Sequence, residues 1–94
     1  MRLSSMRVVL ARLEGLATGP SAESAGPIVE DLIWAHARPA EGLEHLTVRP
    51  AAEGLELYLF VRSGSESAAL DQVRALLDRA HGPFSRHGYA LDRR

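Results

Sequence analysis

The stretch LELYLFVR, Leu55–Arg62, decides how this chain folds. Successive side chains of an extended strand point to opposite sides. Leu55, Leu57, Leu59 and Val61 therefore share one face, and Glu56, Tyr58, Phe60 and Arg62 share the other. The first set is a core face. The second is charged at its ends and aromatic in its middle, so it too asks for a cover. Upstream, LEHLTVRP (43–50) alternates in the same way, with Leu46 and Val48 on one side and His45, Thr47 and Arg49 on the other. The four residues AAEG (51–54) between them form a turn, which makes a hairpin.

Outward from the hairpin, the period changes. SAALDQVRALLDRA (67–80) places Ala69, Leu70, Val73, Leu76, Leu77 and Ala80 on one helical stripe. Ser65 or Ser67 caps its start. Gly82 and Pro83 are expected to end it. GYALD (88–92) reads as a short last strand. At the other end, MRVVLARLE (6–14) is rich in β-favouring residues on both alternating sets and reads as a central strand. Residues 1–5 are expected to be a loose tail. Residues 15–26, rich in Gly, Ser, Ala and Pro, read as a loop, and Pro27 suits the first position of a helix. That helix carries Ile28, Val29, Leu32 and Ile33 on its apolar stripe and stops at Pro39.

The resulting order is β-α-β-β-α-β in a single domain of 94 residues. Across residues 6–92 it resembles the ferredoxin-like fold. The resemblance implies an α+β sandwich: a four-stranded antiparallel sheet, two helices on one face, and strands one and three at the centre. The other face then stays open, with Tyr58 and Phe60 at its middle. Either Val8 and Leu10 or Val9 and Ala11 join them from the first strand. A second copy of the chain is expected to cover this face, giving a homodimer; a ligand or a partner protein is the other candidate occupant. Trp34 lies opposite the stripe of the first helix and is a second candidate interface residue.

Composition narrows the function classes. The chain has no cysteine, which removes disulfides, thiol nucleophiles and cysteine-bound metal centres, and it suits a cytoplasmic setting. Net charge is −1, so nucleic acid is not an expected partner. No run of 18 apolar residues is present, so no membrane partner is expected either. All 11 basic residues are Arg, a bias expected of a GC-rich bacterial source such as an actinobacterium. No nucleotide-binding glycine motif or nucleophile elbow occurs, and no cofactor is expected. The pair Tyr58 and Phe60 resembles the stacking aromatics of the RNA-recognition motif. However, the acidic Glu53–Gly54 stands where that motif is basic, and the first strand carries no aromatic.

The candidate chemistry is sparse. His45, Arg49 and Tyr58 on the open face combine a titratable base, a guanidinium for an anion and a phenol. His36, near the end of the first helix, is a further candidate catalytic group or a helix-end cap. His81 and His87 would need additional ligands, such as Asp92, to hold a metal, and none is expected. Two functions follow as expectations. One is a homodimeric module that binds a ligand or a protein through the open face, in an accessory role in biosynthesis. The other is a small cofactor-independent enzyme (a monooxygenase, cyclase or isomerase of a natural-product pathway), by analogy with dimeric ferredoxin-like proteins of GC-rich bacteria.

Overall fold

The structure is a computed structural model that describes residues 5–15 and 22–91, with the side chains of 22–24 left aside. Residues 1–4, 16–21 and 92–94 lie outside the described residues. So do most of the expected tail, the first half of the expected loop, and Asp92. Along the chain run β1 (Ser5–Gly15), α1 (Ala22–His36), a 3-10 turn (Pro39–Glu41), β2 (Leu43–Ala51), β3 (Gly54–Ser63), α2 (Glu66–Arg86) and β4 (Tyr89–Leu91). The protein is α+β, with one four-stranded sheet in the order β2-β3-β1-β4. Every neighbouring pair is antiparallel.

One core joins both helices to one side of the sheet. Leu55, Leu57, Leu59 and Val61 of β3 are fully buried, and Val9 and Leu13 of β1 and Leu46 of β2 join them. From the helices come Ala25, Val29 and Ile33, then Ala69, Val73, Leu76, Leu77, Ala80 and Phe84. Each large apolar side chain so buried contributes roughly 1.5–3 kcal/mol. The alternation of LELYLFVR is thus reproduced residue by residue.

The β2–β3 hairpin turns through Ala52 and Glu53, and Glu53 takes the left-handed conformation (φ 61°). Its carbonyl accepts a bond from the Gly15 N–H at 2.6 Å, which ties the turn to β1. Gly54 follows, where a Cβ would stand 1.9 Å from the Leu13 carbonyl oxygen. Only glycine lets β3 approach β1 so closely there. Pro50 sits in β2, at the edge of the sheet, where a missing N–H is tolerated. A register shift between Leu43 and His45 lets both Leu43 and Leu46 reach the core, which strict alternation forbids. Beyond it His45, Thr47 and Arg49 fall on the open side.

Several expectations are corrected. Residues 22–26 are helical rather than loop, so Pro27 sits inside α1 and costs it one backbone hydrogen bond. Burial of Ala25 in the core favours this longer helix. The stripe of α1 is accordingly rotated: Ile28 is exposed, and Ala25, Val29 and Ile33 face inward. Helix α2 runs through Gly82 and Pro83 to Arg86, because Phe84, fully buried, anchors another turn. Gly88, in the left-handed conformation (φ 85°), makes the exit assigned to Gly82. In a single copy Val8 and Leu10 of the central β1 are 51% and 65% exposed on the open side. Ser5, placed in the tail by sequence, already pairs with Ser63.

Candidate functional site

The open face is built by register. Across β1 and β3, Val8 stands opposite Phe60 and Leu10 opposite Tyr58, with Met6–Arg62 and Arg12–Glu56 at the ends. Across β3 and β2, Phe60 faces His45, Tyr58 faces Thr47 and Glu56 faces Arg49. The face is apolar in its β1 half and aromatic along β3. Its β2 margin is polar. Of the two alternatives left by sequence, Val8 and Leu10 are the pair that lies here.

Its side chains touch in a chain of contacts. The His45 and Phe60 rings lie 5.3 Å apart, tilted by 51°. The Arg49 guanidinium sits over the Tyr58 ring at 5.7 Å, within the range of a cation–π contact. His45 Nε2 and Thr47 Oγ1 are 3.4 Å apart. Thr47, Arg49, Tyr58 and Phe60 line a shallow hollow of about 210 Å³. One end of it is an exposed guanidinium with a hydroxyl beside it, and its floor is two aromatic rings. Such a hollow can hold an anion by charge and a flat apolar group by stacking.

The remaining candidates are elsewhere. His36, in the last turn of α1, donates from Nδ1 to the Leu32 carbonyl at 2.8 Å. It braces its own helix and does not join His45, Arg49 and Tyr58. Trp34 is 42% exposed on α1 and makes no ring contact among the described residues, so it belongs to a different surface from Tyr58 and Phe60. His87 caps α2 through its backbone N–H. Among the described residues no group of three or more His, Asp or Glu could hold a metal ion.

Sequence reasoning missed one polar cluster, and it is structural. Glu41, in the 3-10 turn, is buried and its Oε1 accepts from the Arg79 guanidinium of α2 and from the Arg38 N–H at 2.7 Å. Arg79 also donates to the His36 carbonyl at 2.8 Å, and Gln72 donates to the Glu41 carbonyl at 2.7 Å. The cluster fastens the end of α1 and the 3-10 turn to α2. Burial alone would raise the Glu41 pKa, but the Arg79 and Arg38 bonds and their positive charge outweigh it and hold the carboxyl below its usual value. Glu, Arg and Gln at such different places in the chain carry no local signal that they meet.

Compared with known proteins, the chain matches no family model, no curated protein and no solved structure. No helix among the described residues is long and apolar enough to cross a membrane.

Proposed function

We propose that the protein is a small homodimeric binding module of the ferredoxin-like type, and that its open sheet face takes a small molecule carrying a ring and a carboxylate. The strand order β2-β3-β1-β4, with both helices on one side, supports that fold assignment. The observation that carries the function is the hollow itself. Arg49 rests on Tyr58 at the polar margin, and Phe60 leads from there to the exposed Val8 and Leu10. The carboxylate pairs with Arg49 and Thr47; the ring lies on Tyr58 and Phe60. No described element covers these residues, so the site is open to solvent in a single copy.

The test is equilibrium binding of indole-3-acetate and of its uncharged methyl ester. The reading predicts that the acid binds the wild type, that Arg49→Leu binds acid and ester alike, and that Phe60→Ala weakens both. Equal binding of acid and ester by the wild type, or no binding of either, overturns it. The enzyme alternative draws on the same face, with His45 as the base. It requires His45→Ala to abolish turnover of a bound compound while leaving its affinity intact.

A further inference from the structure

Strand β4 is short. It pairs only with Leu13, Glu14 and Gly15 of β1. Among the described residues, no strand pairs with β1 on that side between Ser5 and Arg12. The direction of its backbone groups follows from one bond. The Gly15 N–H points at Glu53, on the β3 side. Backbone groups of an antiparallel strand alternate sides. Odd-numbered residues of β1 therefore serve β3, and Met6, Val8 and Leu10 present N–H and C=O at the outer edge. A row of unpaired backbone groups is a template for another strand. Beside this edge runs a groove of about 360 Å³, lined by Arg7, Val8, Val9 and Leu10 and, from α2, by Glu66, Ala69 and Leu70.

We infer that this edge pairs with the same edge of a second copy, β1 against β1 antiparallel, about a twofold axis at Val8, making one eight-stranded sheet. The occupant is argued from self-complementarity, which a twofold contact demands. Centred on Val8, the register sets Val8 against Val8 and Met6 against Leu10, twice. These three residues are 48–65% exposed in a single copy and would all gain apolar neighbours. Met6, Val8 and Leu10 are also the residues whose backbone groups point outward, so the pairs that match side chains are the pairs that form hydrogen bonds. The helix layer obeys the same symmetry. Leu70, 49% exposed, lines the groove beside Val8, so it meets Leu70 of the other copy near the axis. Four residues to either side on the same helical stripe stand Glu66 and Arg74, both exposed. The twofold brings Glu66 of one copy to Arg74 of the other, twice. Within one copy these two are about 12 Å apart along the helix and cannot pair. The hollow at Thr47, Arg49, Tyr58 and Phe60 stays uncovered in this arrangement, and only its apolar margin at Val8 and Leu10 is shared with the dimer contact, so Leu70→Asp tests the contact without touching the hollow.

Light scattering and sedimentation equilibrium on the full chain test the inference. The wild type is expected to be a dimer. Val8→Pro removes an outward N–H without touching a β1–β3 bond, and is expected to leave a monomer with unchanged far-ultraviolet circular dichroism. Leu70→Asp changes an exposed helix residue and is expected to do the same, which decides the matter should the proline variant not fold. Glu66→Arg and Arg74→Glu are each expected to weaken association by roughly tenfold, and the double variant to recover it. A monomeric wild type overturns the inference, as does a Leu70→Asp protein that remains dimeric. A dimer that survives Leu70→Asp but is lost in Phe60→Asp means the copies meet face to face.

Discussion

The two faces of β3 differ by a one-residue step and by everything that follows from it. On the helix side, Leu55, Leu57, Leu59 and Val61 are sealed under two helices. On the other, Tyr58 and Phe60 are half-buried by cross-strand neighbours alone, and Val8 and Leu10 beside them face water. Both faces are apolar at their centres, yet only one is a core. Apolar content therefore does not say which surface stabilises the fold. Coverage does, and coverage is a property of the helices.

Neighbouring residues give the largest and sharpest break of that comparison. Leu57→Ala should lose about 3–4 kcal/mol of stability in urea unfolding, the cost of a cavity in a covered core. Tyr58→Ala, one residue on, should lose about 1 kcal/mol, because solvent already reaches its ring. Equal losses would mean that the open face is a second core. The Glu41–Arg79 cluster should behave like the covered side: Glu41→Ala leaves a partly buried guanidinium unpaired and should cost about 2–4 kcal/mol by the same measurement.

That cluster also sets a pH dependence. The folded-state pKa of Glu41 lies below its ordinary value, so its contribution is fully present above that ordinary value and is lost as pH falls through the folded one. Thermal melts should show wild-type stability dropping on acidification below the ordinary carboxylate range, and Glu41→Gln flattening the drop. At the alkaline end, burial raises the Tyr89 pKa, so stability is full below its ordinary value and declines as pH rises beyond it. The smallest effect concerns the hairpin turn. Glu53 holds a left-handed conformation that glycine adopts without strain, and Glu53→Gly should gain about 0.5–1 kcal/mol.

Much of this was legible in the sequence because it is periodic. The alternation of 55–62 and of 45–49 fixes both faces of the hairpin, and the stripe of 69–80 fixes the inner face of α2 at Ala69, Val73, Leu76, Leu77 and Ala80, while Leu70, expected on that stripe, is exposed. The open-face group of His45, Arg49, Tyr58 and Phe60 follows from that alternation alone. What was not legible depends on contacts between distant segments. Pro27 and Gly82–Pro83 are local stop signals, and in each case the burial of a nearby residue, Ala25 or Phe84, outweighs them. The bulge at residue 44 has no marker in LEHL. The Glu41–Arg79 pair joins residues 38 positions apart. Which pair of β1, Val8 and Leu10 or Val9 and Ala11, lies on the open face was hidden for a related reason: VVL is apolar on both alternating sets.

The most direct test of the open face as the working surface is a ¹H–¹⁵N chemical-shift titration with indole-3-acetate. The account predicts shifts gathered at Thr47, Arg49, Tyr58 and Phe60 and spreading to Val8 and Leu10, with the amides of Leu57, Leu59 and the α2 core residues still. Shifts gathered on the helix layer around Trp34, or none anywhere, would contradict it.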